Sequence, residues 1–336
     1  MSAGRSWCVV GGAGFIGSTL VGRLLAEERV DRVVVLDNLS SGSREMLGES
    51  LGDSLGDSRV DLIVGDCGDP EVSSRALEGV DVVVHLASNP DIARAVTEPE
   101  IDFSSGTLLT NSVVEAARTQ GVNTIVYASG SGVYGDLGDL EIPEDHGPLR
   151  PVSTYGASKL AGEALVCAYA HMFGLRGRAF RFANVVGPRQ THGVGYDFLN
   201  KLAGDPTRLE ILGDGRQSKC YIAIADVLDA ILGVIDEPGD LPYEVFNVST
   251  DDALSVDEIA AAACRASGLD PAAVVFDHTG GRGGWNGDVP VVRLDTSRIR
   301  SRGWAPKRSS AAAMEWALAS MADALTDGAD GDRPGG

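Results

Sequence analysis

The segment Gly11-Gly12-Ala13-Gly14-Phe15-Ile16-Gly17 follows the apolar run Trp7-Cys8-Val9-Val10 and opens an amphipathic stretch that continues to Glu28. A strand, a glycine turn and a helix in that order constrain this chain more than any other feature. Gly12 and Gly14 let the backbone turn tightly and come close to a pyrophosphate with no Cβ between them. Gly17 lets helix and strand pack closely, and the helix N-terminus faces the anion. Asp37 stands twenty residues after Gly17, at the end of Val33-Val34-Val35-Leu36. At the tip of a second parallel strand its carboxylate would accept hydrogen bonds from the adenosine ribose hydroxyls and repel a 2′-phosphate. The expected cofactor is therefore NAD rather than NADP.

The same alternation continues. Strands are expected at 8–11, 33–37, 61–64, 82–85, 124–128 and 178–182, with amphipathic segments at 17–28, 107–120 and 154–173 between them. This pattern predicts an α/β fold with a doubly wound parallel sheet, whose ligands sit beyond the carboxyl ends of the strands. Residues 48–58, with the tandem Ser-Leu-Gly-Asp, read as a polar surface insertion. After Phe182 the alternation breaks into Gly/Pro-rich loops at 187–195 and 212–217, a helical pattern at 224–235, a strand at 243–248 and helices at 255–267 and 309–325. The expected organisation is a nucleotide-binding domain of 1–186 and 219–250. A smaller, interleaved α/β substrate lobe takes 187–218 and 251–325, and 326–336 form a disordered tail.

At 336 residues the chain can bury a substantial core. A formal charge of −20 disfavours nucleic acid, whose phosphates reward a basic face. No stretch approaches the roughly 18 unbroken apolar residues of a membrane helix, and no leader pattern opens the chain, so the expectation is a cytoplasmic protein without membrane contact. Cys8, Cys67, Cys167, Cys220 and Cys264 are odd in number and widely spaced, which argues against a disulfide framework and against a metal site.

The most specific chemistry is Tyr155-Gly156-Ala157-Ser158-Lys159, behind Ser153-Thr154 and ahead of a helical pattern. Tyr155 and Lys159 share a helix face. A phenol with its ordinary pKa of about 10 is too weakly acidic to serve as a base at neutral pH, and a neighbouring ammonium is expected to lower it. The pair could then exchange a proton with a sugar hydroxyl while a nicotinamide takes the adjacent hydride. Upstream, Tyr127-Ala128-Ser129-Gly130-Ser131-Gly132-Val133-Tyr134-Gly135 leaves a strand for a hydroxyl-rich loop able to place a hydroxyl beside Tyr155.

Several stretches together resemble the extended short-chain dehydrogenase/reductase family of NAD-dependent nucleotide-sugar epimerases and dehydratases. These are 11–18, Asp37, His85-Leu86-Ala87-Ser88-Asn89-Pro90, Val133-Tyr134-Gly135, Tyr155 with Lys159, the run 181–189, Leu212-Gly213-Asp214-Gly215, Gly287-Asp288-Val289-Pro290 and Gly303-Trp304-Ala305-Pro306. The match covers nearly the whole chain and looks closest to UDP-glucose 4-epimerase-like enzymes. The resemblance implies a Rossmann sheet and a homodimer through the helices at 107–120 and 154–173. It implies cofactor contacts from Gly11, Gly14, Phe15, Ile16, Gly17, Asp37, Asn38, Asp66, Cys67, Leu86, Ala87, Ser88, Tyr155 and Lys159. It also implies that Asn89, Ser131, Tyr155, Asn184, Lys219 and Arg282 lie along a nucleotide sugar, the two cations near its diphosphate.

The chain departs from the family pattern at four places. Lys219 stands where the family more usually has Arg, and Gly106 where many relatives have Asn. Gly130 occupies the usual position of a catalytic Ser or Thr, which leaves Ser129, Ser131 or a water to supply that hydroxyl. Ser131 and Gly132 replace the Asp-Glu pair of 4,6-dehydratases, and Gly132 replaces the Glu of the related decarboxylases. The remaining chemistry, 4-epimerisation through a 4-keto sugar, needs only the Tyr/Lys pair and NAD; the alternatives are a dehydratase or decarboxylase of the same family, or, given Gly130 and Gly106, a non-catalytic protein that binds NAD and a sugar nucleotide.

Overall fold

The structure, a computed structural model, describes residues 4–52, 56–237 and 239–331. The chain forms two compact units: Met1–Gly135, Gly147–Arg181 and Val234–Phe246 make one, and Asp136–His146, Phe182–Gly233 and Asn247–Gly336 the other.

The first unit is built on a seven-stranded sheet. Its strands are β1 (Arg5–Val10), β2 (Val30–Asp37), β3 (Val60–Val64), β4 (Val82–His85), β5 (Thr124–Gly130), β6 (Arg176–Phe182) and β7 (Tyr243–Val248), in the order β7-β6-β5-β4-β1-β2-β3. The pairs β1–β2, β2–β3, β1–β4 and β4–β5 are parallel, with Cys8 opposite Val34 and Val83, and Val10 opposite Leu36 and His85. Side chains alternate between faces along a strand. Cys8, Val10, Val34, Leu36, Val83 and Ile125 therefore share one core, with Val113, Val114 and Val166 from helices packed on that side. Val9, Val33, Val35 and Val84 are buried as well. A strand buried on both faces reads as a continuous apolar run, which is why the valine-rich segments become sheet rather than amphipathic helix.

Helices α1 (Phe15–Leu25), α2 (Arg44–Leu51), α3 (Pro70–Ala76), α4 (Leu109–Thr119) and α5 (Thr154–Phe173) connect the strands. Ser153 caps α5 by accepting from the Gly156 N–H at 3.1 Å, and Gly174, at φ +79°, ends it in the left-handed conformation. The strand order reverses between β1 and β4, and in a doubly wound sheet that switch point opens the ligand crevice. Gly11 (φ +81°) follows β1 there, and a Cβ on it would lie 2.8 Å from the Ala87 nitrogen beyond β4.

The second unit has its own core, made by α6 (Val194–Gly204), α8 (Val256–Ala266) and the helix Ser310–Gly331 through Phe198, Leu202, Ile259, Ala263, Met314 and Leu318. Helix α7 (Ile224–Asp236) runs between α6 and α8 in the chain. The unit's strands are short pairs: Asn184–Val186 with Tyr221–Ala223, Arg208–Ile211 with Val275–His278, Ser218–Lys219 with Leu254–Ser255, and Glu141–Ile142 with Arg293–Leu294.

Three sequence expectations are corrected. Residues 219–233 belong with the second unit, because Tyr221–Ala223 pairs with Asn184–Val186 and not with the large sheet; residues 136–146, 182–186 and 247–250 join that unit too. Within the expected insertion 48–58, helix α2 continues to Leu51 and buries Leu47 and Leu51, while 53–55 lie outside the described residues. In the expected tail, 326–331 continue the last helix, and 332–336 lie outside the described residues. Four cysteines are buried and Cys167 is half-buried, all of them free thiols. Among the described residues no helix is long and apolar enough to cross a membrane.

Candidate active site

The switch point opens into a cavity of about 1270 Å³ whose walls include Gly11, Asp37, Asn38, Asp66, Cys67, Ala87, Ser88 and Asn89. Its shape depends on missing side chains. A Cβ at Gly17 would lie 2.2 Å from the Gly11 carbonyl oxygen, so α1 packs onto the turn only with glycine there. A Cβ at Gly14 would meet nothing nearer than 3.5 Å, so the bare backbone there leaves room for a ligand. Gly14 caps α1 without a side-chain hydrogen bond, so no side chain caps the N–H groups of Phe15, Ile16 and Gly17 at the start of the helix.

Asp37 is buried at the end of β2. One oxygen accepts from the Ala13 N–H at 2.9 Å and the other from the Leu39 N–H at 2.8 Å. Each carboxylate oxygen retains a lone pair for a ribose hydroxyl. Asp66 accepts from the Gly68 N–H at 2.7 Å on the same wall. The glycine turn, the buried carboxylate of Asp37 and the size of the cavity together fit NAD.

Tyr155 and Lys159 lie one turn apart in α5, with the Lys159 ammonium 5.4 Å from the Tyr155 ring centroid. Lys159 is 5% exposed and donates to the Ala128 carbonyl at 2.8 Å; burial pushes its pKa down to about 8, against the opposing pull of Asp102. The phenol departs from the sequence expectation. Burial pushes it up to about 12, the charge of Asp102 adds to the rise, and the Ser88 hydroxyl works against it. Lys159 by itself thus does not produce a phenolate, because desolvation of the phenol outweighs an ammonium 5.4 Å from its ring. His85, at the end of β4, meets Thr110 Oγ1 at 3.1 Å; burial and the Lys159 charge push it down to about 3, so it stays neutral.

The two candidate serines separate. Ser129 is buried and donates to Glu163 Oε1 at 2.5 Å. Glu163, 4% exposed, also receives two bonds from Arg181, at 2.9 and 2.7 Å, and Arg181 donates to the Tyr134 hydroxyl at 2.8 Å. The Ser129 proton is thereby committed to a carboxylate, leaving Ser131, half-buried in the turn Ser131–Val133. Gly130 has φ −159° and ψ 166°, extended backbone that any residue adopts, so the backbone does not demand glycine there. At Gly106 a Cβ would lie 2.0 Å from Ser158 Oγ, so the serine hydroxyl takes the place of a side chain at 106.

Asn89, on the cavity wall, is also held within the protein. Its amide nitrogen donates to Asp102 Oδ1 at 2.9 Å and to the Asp91 carbonyl at 2.8 Å, and its oxygen accepts from the Asp91 N–H at 3.0 Å. Asp102 itself carries no motif in the sequence. In the second unit, Asn184 donates to the Cys220 carbonyl at 3.2 Å, next to Lys219 in the chain. The Lys219 ammonium contacts Asp288 Oδ1 at 2.5 Å and lies 5.3 Å from the Trp285 ring centroid, while Arg282 is exposed.

Residues 7–249 match the family described as NAD dependent epimerase/dehydratase. The chain belongs to this family. It is 35% identical over 307 residues to the UDP-glucose 4-epimerase of Mycolicibacterium smegmatis, across 89% of this chain and 93% of that enzyme. It is 30% identical over 316 residues to the dTDP-glucose 4,6-dehydratase of the same organism, across 90% of this chain and 88% of that one. A crystal structure of a UDP-galactose 4-epimerase superposes with a TM-score of 0.83 at 38% identity, covering 95% of this chain and 99% of that chain. The family membership makes this an NAD-dependent enzyme with a Rossmann-type sheet. Its relatives run both reactions, epimerisation and dehydration.

Proposed function

We propose that the protein catalyses NAD-dependent 4-epimerisation of a nucleotide sugar, a UDP-hexose or UDP-hexuronate. The observation that carries this reading is the state of two buried carboxylates at α5, Asp102 against its first residue and Glu163 on the helix itself. Asp102 is held by Asn89 and Thr154, and Glu163 by Arg181 and Ser129. Dehydration requires a carboxyl acid and base free to act on the sugar, and positions 131 and 132, beside the tyrosine turn, carry Ser131 and Gly132. Epimerisation requires, besides NAD as hydride acceptor, only a group that moves the C4 hydroxyl proton.

Tyr155 takes that proton, and Lys159 holds positive charge beside the phenol and orients the nicotinamide ribose. Ser131 hydrogen-bonds the same sugar oxygen. Bound NAD supplies the hydride acceptor at C4 and, when oxidised, a second positive charge that favours the phenolate. Asn184, Lys219 and Arg282 take the nucleotide. The reading includes a cytoplasmic homodimer through α4 and α5; exposed Met172 and Phe173 at the end of α5 support it, and sedimentation tests it.

Proton NMR and mass analysis of UDP-glucose, UDP-N-acetylglucosamine and UDP-glucuronate, each incubated with protein and NAD, test the reaction. Inversion at C4 with unchanged mass supports it; loss of water or carbon dioxide overturns it. Tyr155→Phe should abolish turnover while NAD stays bound.

A further inference from the structure

Asp102 is 2% exposed and precedes the π-helical turn Phe103–Leu108. It accepts from Asn89 Nδ2 at 2.9 Å through one oxygen and from Thr154 Oγ1 at 2.7 Å through the other. Asn89 lies in the turn after β4, and Thr154 is the first residue of α5, immediately before Tyr155. Neither donor is charged, so among its hydrogen-bond partners this buried carboxylate has no cation, unlike Glu163 on Arg181.

We propose that Asp102 is a positioning residue for Tyr155: its carboxylate ties the start of α5 to the turn after β4 and sets a negative charge against the phenol. It thereby fixes where the phenol stands and the pH at which it releases its proton. This rests on the reading of Tyr155 as the base.

The other titratable groups near Tyr155 are paired or neutral, except Lys159, whose ammonium feels the charge of Asp102. On its own helix stand Lys159, on the Ala128 carbonyl, and Glu163, paired with Arg181. From β4 come neutral His85 and, just beyond it, the Ser88 hydroxyl; from β5 comes the buried Tyr127. On the turn Ile92–Val96, Arg94 pairs with Glu98 at 2.7 Å, and on α4, Glu115 pairs with Arg118 at 2.6 Å. The turn Ser131–Val133 carries no charge. Lys159 and Asp102 therefore oppose each other at the phenol, and burial pushes the same way as Asp102.

The experiment is an alkaline titration of the purified protein followed by phenolate absorbance, with Tyr155→Phe subtracted to isolate one tyrosine. Asp102→Asn should move the Tyr155 transition down by about one pH unit, about tenfold more phenolate at a given pH below the transition. Thr154→Val, which removes one tie but keeps the charge, should lower kcat at least about threefold with NAD affinity unchanged and the transition near its wild-type pH. Asp102→Glu, retaining the charge, should also keep that transition.

A Tyr155 transition unmoved in folded Asp102→Asn overturns the electrostatic role. An unchanged kcat in Thr154→Val overturns the positioning role, and tests it even where Asp102→Asn fails to fold. The titration needs no substrate. A shifted transition in a protein without epimerase activity upholds this inference and sinks the proposed reaction, and an unmoved one in an active epimerase does the reverse.

Discussion

Lys159 and Lys219 stand in different units and in opposite surroundings. Lys159 is buried against a carbonyl and two aromatic rings, with its ammonium pulled down to about 8 by burial. Lys219 is half-buried and in contact with Asp288, whose side chain is 4% exposed and whose other oxygen accepts from the Gly284 N–H at 2.9 Å. A cation without a carboxylate partner gives its field to the groups beside it. A cation already paired offers a second anion a field that its carboxylate has partly cancelled. The lysine proposed for the proton-transfer pair is of the first kind, and the candidate diphosphate lysine is of the second. The difference is between a site built to act and one in which a ligand must compete.

The largest effect that would break this contrast comes from Lys159→Met, which should cut turnover by about a thousandfold in a steady-state assay. The same variant reports on stability. The folded pKa of Lys159 is about 8, against 10.5 for an unperturbed lysine, so between those values the unfolded chain holds a proton that the folded chain has lost. Stability at this site therefore rises with pH across that window. Denaturant unfolding should show wild type gaining on Lys159→Met from pH 8 to 10.5, and a flat difference would mean that the ammonium is not desolvated.

Glu163→Gln should come next. It leaves the Arg181 guanidinium buried without its carboxylate, at a cost of about 3 to 5 kcal/mol, and a Tm lowered by about ten degrees in calorimetry checks it. Asp288→Asn should free Lys219 and tighten UDP binding by about tenfold in calorimetric titration; weaker binding would show that Asp288 assists the ligand rather than competing with it. Ser129→Ala should change kcat by less than about threefold, since the Ser129 proton faces Glu163. A hundredfold loss would restore it as the hydroxyl on the sugar.

The sequence is legible where fixed spacing carries the chemistry. The glycine turn, Asp37, and Tyr155 with Lys159 fall where their motifs put them, and the bounds of 82–85, 154–173 and 243–248 are read without error. Apolar patterning starts β1 at 8 and β6 at 178, whereas pairing begins at Arg5 and Arg176, because backbone hydrogen bonds extend a strand through polar residues. The π-helical turn before α4 has no signal, since Ser104, Ser105 and Gly106 carry no apolar period. Asp102 is invisible for a different reason. Its function is made by Thr154, 52 residues away, and by Asn89, and neither contact leaves a local pattern. Ser129 and Ser131 are indistinguishable in the loop until Glu163, 34 residues further on, claims one of them.

Asp37 has a second duty with consequences for anyone redesigning the protein. The carboxylate expected to meet the ribose also holds the Ala13 N–H of the glycine turn and the Leu39 N–H, and Leu39 sits at φ +59°. Exchanging it for a small neutral residue to admit a phosphorylated ribose would withdraw an anchor from the phosphate cradle in the same step. Switching cofactor preference at this position is therefore a two-site problem: the new residue must welcome the extra phosphate, and another acceptor must be found for the turn.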